Sequence, residues 1–189
     1  MHQTGREFQA DLPEAHQLVT LIEEARGGNR EAFQQLVAPY VDPAYRLAFT
    51  MLRQRQDAED AIQESVLKAW TRLGQLRDGT SVKAWFFQIV VNECRMSRRG
   101  KWRSVIKLPQ LPTQAARSEE KMIESTDLRR ALTQLTDSER LVLFLSYDLD
   151  LDLEQVGSIL GLSAAGARSR LYRAVRRLRP ALGDTEAPS

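Results

Sequence analysis

The chain has one cysteine, Cys94, so no internal disulfide is possible. Its two histidines, His2 and His16, both stand in the amino-terminal tail. With one cysteine and no histidine in the folded part, neither a structural zinc site nor a hydrolytic triad is expected. No run reaches the roughly 18 apolar residues that a membrane-spanning helix needs. The opening MHQTGREFQADLPEAH is polar and carries acids, unlike a secretory signal. These absences predict no catalytic residue, no metal, no cofactor and no membrane partner. They weaken enzyme readings before any motif is considered. Hydrophobic residues make up 42% of the 189, enough for one medium domain or two small ones.

Charge is present in quantity but segregated. The formal sum is +2, yet four short stretches are each pure in sign. Asp57, Glu59, Asp60 and Glu64 carry no base among them. Arg95, Arg98, Arg99, Lys101, Arg103 and Lys107 follow without an acid. Asp148, Asp150, Asp152 and Glu154 form a second acidic run, and Arg168, Arg170, Arg173, Arg176, Arg177 and Arg179 a second basic one. Two basic surfaces and two acidic ones suit a protein that holds DNA at two places and docks on a basic protein.

Apolar spacing is helical nearly throughout, and no alternating strand pattern competes with it. Leu18, Leu21, Ile22 and Ala25 share one face, ended by Gly27-Gly28. Asn29 is placed to cap a helix carrying Ala32, Phe33, Leu36 and Val37, which Pro39 is expected to stop. A third helix holds Ala44, Leu47, Ala48, Met51 and Leu52. A fourth, from about Asp57 to Leu73, buries Ala58, Ala61, Ile62, Val66, Ala69, Trp70 and Leu73. Gly74–Ser81 reads as a loop. From Val82 to about Arg99 another helix clusters Trp85, Phe86, Ile89 and Val90, while Phe87 and Trp102 fall off that face. Past Gly100 the pattern fades, and Pro109 and Pro112 mark a linker.

The second unit begins with a short face of Leu128, Ala131, Leu132 and Leu135. Thr136-Asp137-Ser138-Glu139 is a capping box, ahead of Leu141, Val142, Phe144 and Leu145. Asp152 caps a helix Leu153–Leu160, and Gly161 ends it in the left-handed position. Ser163 caps a last helix, Ala164–Arg179, before Pro180. Helix, tight turn and longer helix make a helix-turn-helix. Ala167, Leu171, Val175 and Leu178 turn inward. Arg168, Ser169, Tyr172 and Arg173 then face solvent on the half of a recognition helix that enters the major groove. Arg176, Arg177 and Arg179 suit phosphates.

Two segments resemble a known family. DAEDAIQESVLKAW followed by WFFQIVVNECRMSRR is similar to region 2 of sigma-70 factors. LTDSERLVLFLSY followed by LEQVGSILGLSAAGARSRLYRAVRRL is similar to their region 4. Their order and spacing resemble the small extracytoplasmic function (ECF, group 4) sigma factors. The resemblance implies an all-α chain of two small helical domains joined by a flexible linker. The boundaries are a disordered tail 1–17, region 2 at 18–103, linker 104–126, region 4 at 127–182 and a second disordered tail 183–189. It implies promoter-specific initiation with core RNA polymerase, through the clamp of its largest subunit and its flap, and control by an anti-sigma factor. The chain is expected to be monomeric when free.

Residue by residue, the resemblance places Asp57, Glu59, Asp60, Gln63 and Glu64 on the polymerase clamp. The −10 strand falls to Arg77, Ser81, Lys83, Asn92, Arg95, Arg98, Arg99, Lys101 and Arg103. The −35 duplex falls to Ser163, Ala165, Arg168, Ser169, Tyr172, Arg173, Arg176 and Arg177. Opened DNA needs cations and stacking platforms, and Phe87 and Trp102 are the platform candidates because Trp85 and Phe86 read as core. The chain departs from the family pattern in three places. Met96 stands where an acid is usual. Val156-Gly157 replaces Ile-Ala, at a helix-propensity cost of about 1 kcal/mol. Ala165-Gly166-Ala167 replaces Gly-Thr-Val. The acidic run Asp148–Asp152 reads as a solvated loop, with a surface for the flap or an inhibitor as the alternative. Two rivals stand beside this reading: a free-standing helix-turn-helix regulator, and a nucleic-acid enzyme that holds metal at the first acidic run.

Overall fold

The computed structural model describes residues 15–77, 79–104 and 131–182, with the backbone alone at 15–16, 99–104 and 182. Both tails, most of the linker, Leu128, Pro109 and Pro112 lie outside the described residues, as does the expected onset of the second unit. Every regular element described is helical, and none of these helices is long and apolar enough to cross a membrane.

The amino-terminal unit comprises α1 (Ala15–Arg26), α2 (Arg30–Leu52), α3 (Arg55–Arg72), a 3-10 turn at Leu73–Gln75 and α4 (Val82–Ser104). Asn29 opens α2 as expected, its side chain accepting from the amides of Glu31 and Ala32. The expected stop at Pro39 does not occur. One helix of 23 residues runs through both Pro39 and Pro43. Each proline removes one backbone hydrogen bond, which normally costs ~3 kcal/mol or more. The continuous apolar face outweighs it: Leu36, Val37, Tyr40, Ala44, Leu47 and Ala48 are all buried. The chain leaves α2 through Arg53 in the left-handed region, at φ 56°.

α4 also buries more than one stripe. Phe86 and Val90 are fully enclosed, and so are Phe87, Val91 and Cys94. Phe87 therefore sits in the core, edge-on to Tyr40 and to Phe86. The expectation that it stands off the apolar face as a base platform is overturned. The cause is that α4 packs against α2 and α3 and also against the second unit, so a single apolar stripe does not describe it. Burying an aromatic of this kind contributes about 1.5–3 kcal/mol. Trp85, read as core, is only half-buried at the rim.

The carboxyl-terminal unit has helical residues at 131–134, α5 (Asp137–Leu143) continued by a π turn Phe144–Asp148, α6 (Leu153–Leu160) and α7 (Ala164–Leu182). The capping box at Thr136 and Glu139 forms in both directions. Asp152 and Gln155 make a second one, and Gly161 closes α6 at φ 71°. The Ser163 hydroxyl accepts from the Gly166 amide to open α7. Pro180 does not stop α7, which runs through it to Leu182. Ala167, Ala174 and Leu178 form the buried side of α7, with Leu171 and Val175 half-buried.

The two units do not keep separate cores. One continuous apolar cluster runs from Ala32 and Phe86 through Val91 and Cys94 to Val142, Leu145, Val156 and Ile159. Among the described residues, Ala131, Leu135, Ala174 and Leu178 form a separate buried group. The seam lies where α4 packs on α6, the first helix of the helix-turn-helix.

Candidate functional site

Three surfaces carry the residues singled out in the sequence. The first is the outer face of α3. Ala58, Ala61, Ile62 and Ala69 turn inward, which leaves Asp60, Gln63 and Glu64 exposed and Asp57 and Glu59 half-buried beside them. Glu59 accepts from the Arg55 guanidinium at 2.7 Å. Glu64 lies 3.3 Å from Lys68, and Lys68 reaches across to Glu93 of α4 at 2.6 Å. The carboxylates raise the Lys68 pKa, the Glu93 hydrogen bond most of all. The acidic face is thus tied by one lysine to the helix behind it. Glu93, 8% exposed, was not anticipated; its signal is an acid set among apolar residues on a helix otherwise followed by bases. Among the described residues no group of three His, Cys, Asp or Glu is placed to hold a metal.

The second surface is the loop before α4 and the exposed side of that helix. The Ser81 hydroxyl accepts from the Ala84 amide at 3.3 Å, so it caps α4. Arg77 is exposed on a tight turn closed by Thr80 N–H to Arg77 C=O, with Gly79 at φ 76°. Arg26 of α1 donates to the Leu76 carbonyl and pins this loop. Between loop and α1 lies a cleft of about 220 Å3, bordered by Val19, Ile22, Arg26, Leu76, Arg77 and Thr80. Along α4, Asn92 and Met96 are exposed. Burial lowers the pKa of the half-buried Lys83, while the nearby Asp150 charge works against that shift. Arg95 donates to the Leu160 carbonyl at 3.0 Å, and Arg98 contacts Asp137 at 3.3 Å. Arg99, Lys101, Arg103 and Trp102 follow on the backbone of α4; their side chains lie outside the described residues. Cys94 is buried behind this surface, its thiol pushed up to about 12 by burial, so it is inert.

The third surface is the start of α7. Ser163, Ala165, Arg168, Ser169, Tyr172, Arg173, Arg176 and Arg177 are all exposed, and Tyr172 at 67% has no packing role to explain it. The small residues let the preceding turn close tightly. A Cβ on Gly157 would stand 2.8 Å from the Leu162 carbonyl oxygen and 3.2 Å from the Ser163 backbone. Glycine is therefore fitted to this turn, and the helix-propensity cost attached to it is the smaller consideration. Arg177 is drawn aside, donating to Glu139 at 2.7 Å, and Arg170 donates to Ser138. Burial raises the Glu139 pKa, but the Thr136 amide and hydroxyl and the charges of Arg177 and Arg173 outweigh it and hold it below the usual carboxylate range. These contacts fasten α7 to the capping box, and they leave Arg168, Tyr172 and Arg173 as the outward-facing set.

The acids of the run 148–152 are exposed, as a solvated loop would have them, but they also have partners. Asp148 pairs with Arg46 of α2 at 3.0 Å, Asp150 at φ 49° lies near Lys83, and Asp152 is the α6 cap.

Comparison with known proteins agrees with this layout. Residues 36–104 match the family model for Sigma-70 region 2, and residues 125–178 the model for Sigma-70 region 4. The ECF RNA polymerase sigma factor SigM of Mycobacterium tuberculosis is 30% identical, over 82% of this chain and 80% of its own length. The structure of CnrH in complex with the cytosolic domain of CnrY is similar with a TM-score of 0.66 at 26% identity, over 90% of this chain and 99% of that one. The sigma factor RpoE, in complex with the anti-sigma factor NepR from Bartonella quintana, shares the fold with a TM-score of 0.64 at 23% identity, over 82% of this chain and 98% of that one. The chain belongs to the sigma-70 family, in its ECF group.

Proposed function

We propose that the chain directs core RNA polymerase to promoters by reading −35 duplex with α7 and holding the opened −10 strand on α4 and the loop before it. It acts in the cytoplasm and makes and breaks no covalent bond. Residues 18–103 and 127–182 are the two working domains. The observation that carries the reading is the joint presence of an exposed acidic helix face, a pinned loop with Arg77 exposed and an exposed recognition helix in one chain whose two halves match regions 2 and 4.

Each surface supports its role physically. Asp60, Gln63 and Glu64 stand out from α3 and suit a basic helical partner on the polymerase clamp. The cleft between α1 and the loop at 76–80 fits a base taken out of its stack, which selects sequence at the moment of opening. With Phe87 in the core, the stacking candidates are the half-buried Trp85 and Trp102, whose side chain lies outside the described residues. On α7, Arg168 and Arg173 are placed for base edges, and Arg176 for phosphate. An anti-sigma factor, as in the RpoE complex, is the regulator expected for such a chain. A free-standing regulator is less well supported, because its amino-terminal half would have no reason to match region 2.

The test is reconstitution of core polymerase with this chain on fragments of its own genome. Initiation at a defined set of start sites above core alone is expected. Absence of any such initiation would overturn the reading.

A further inference from the structure

Helix α1 precedes the segment that matches region 2, which begins at residue 36. It nevertheless supplies one side of the cleft beside the loop at 76–80, through Val19, Ile22, Glu23 and Arg26. Val19 is 54% exposed and Ile22 half-buried, so α1 offers the cleft an apolar wall. The loop opposite is held at few points. A Cβ on Gly74 or Gly79 would meet nothing within 4 Å, so packing does not fix the chain there. Leu73 and Leu76 are buried, and the Leu76 amide donates to the Leu73 carbonyl at 3.0 Å. From the other side Arg26, the last residue of α1, donates to the Leu76 carbonyl across 50 residues of sequence. That bond has a charged donor, which makes it roughly twice as strong as a neutral one. The carbonyl it holds shares a rigid peptide plane with the amide of Arg77. The exposed Arg77 and the tight turn from Arg77 to Thr80 therefore spring from a plane that α1 orients.

We propose that Arg26 is a positioning residue for the opened strand: by holding the Leu76 peptide it sets the loop over Val19 and Ile22, so that α1 and the loop together select the −10 base. The inference rests on the assignment of that loop to the −10 strand. Ordering a loop at the moment of capture subtracts from affinity, and a site shaped beforehand avoids that loss. A segment with two unpacked glycines is tied in advance at Leu76. An apolar wall accepts the face of any base, so selectivity falls to the separation of wall and loop, which Arg26 sets. The tie ends at the Leu76 carbonyl and leaves Arg77 exposed, in position to meet a phosphate.

The experiment uses holoenzyme reconstituted from core polymerase and the full chain, as parent, R26M, R26K, V19S and R77A. The probes are single-stranded −10 oligonucleotides with each of the four bases at each position, and the readout is the ratio of cognate to substituted affinity. R26M is expected to lower that ratio about tenfold at one position, and R26K to recover most of it. Affinities for core and for −35 duplex are expected to stay at the parent level. Hydrogen exchange at the Leu76 and Thr80 amides is expected to quicken in R26M while that of α2 does not. V19S keeps the tie but thins the wall, and is expected to weaken strand binding about fivefold; an unchanged V19S overturns the wall. Discrimination kept in R26M but lost in R77A overturns the role of Arg26. Discrimination kept in both overturns the assignment of the loop to the −10 strand, the reading beneath this inference. Equal losses of −10, −35 and core affinity in R26M would make Arg26 a residue of general stability and overturn the inference as well.

Discussion

The two basic faces of this chain are similar in sequence and opposite in circumstance. On α7, Arg168, Tyr172 and Arg173 face solvent. On α4, Arg95 and Arg98 are engaged by the neighbouring unit, and Lys83 lies near Asp150. A run of arginines says that a surface is cationic; only its surroundings say whether it is available. The difference suits the division of labour, since a duplex reader finds an intact groove whereas a strand binder has no substrate until DNA opens.

Removing the exposed face sharpens this contrast most. R168A/R173A is expected to cost ~1–3 kcal/mol per lost base contact, measured as affinity for −35 duplex, and to leave single-strand binding unchanged. Next, D60K/E64K is expected to weaken core-polymerase binding by about tenfold without altering −35 binding by the full chain; equal loss of both would break the division. A smaller effect tests how α7 is fastened. E139Q keeps an acceptor for the Thr136 amide, as Gln155 does for Asp152, but removes the charge that Arg177 meets, at about 0.5–1 kcal/mol of stability by thermal melting. Because the folded Glu139 pKa is depressed, its stabilisation is present at neutral pH and disappears as pH falls through that depressed value. The gap between E139Q and the parent should therefore close under acid. Last, G157A weighs a gain of about 1 kcal/mol in helix propensity against overpacking of roughly 1–3 kcal/mol onto the turn backbone. A net loss near 1 kcal/mol is expected.

Local chemistry made much of the fold legible. Asn29, Thr136 with Glu139, Asp152, Gly161 and Ser163 each act within three or four residues, and each does in the structure what its side chain predicts. The misreadings are all tertiary. Pro39 and Pro180 are breakers by local rule, yet helices run through both, and at Pro39 the packed face outweighs the lost hydrogen bond. Phe87 was misplaced because a single stripe was assumed for α4; Phe87, Val91 and Cys94 repeat at a spacing of four and three, a second stripe visible in the sequence. The partners of Arg46, Arg53, Arg95 and Arg98 lie between 39 and 102 residues away, beyond any local pattern. That distance also hid the use of the second acidic run. Of the candidate site, the exposure of Asp60, Gln63 and Glu64 and of the α7 face followed from periodicity alone. The engagement of α4 did not.

The most direct test of the account is a footprint of the full chain on a promoter it directs, with and without core polymerase, combined with permanganate probing of unpaired thymines. The account predicts weak −35 protection and no reactive thymine with the chain alone. With core it predicts protection extended through −10 and reactive thymines there. Protection of −10 by the chain alone, or core-dependent opening that survives loss of the α4 cations Lys83, Arg95 and Arg98, would contradict it.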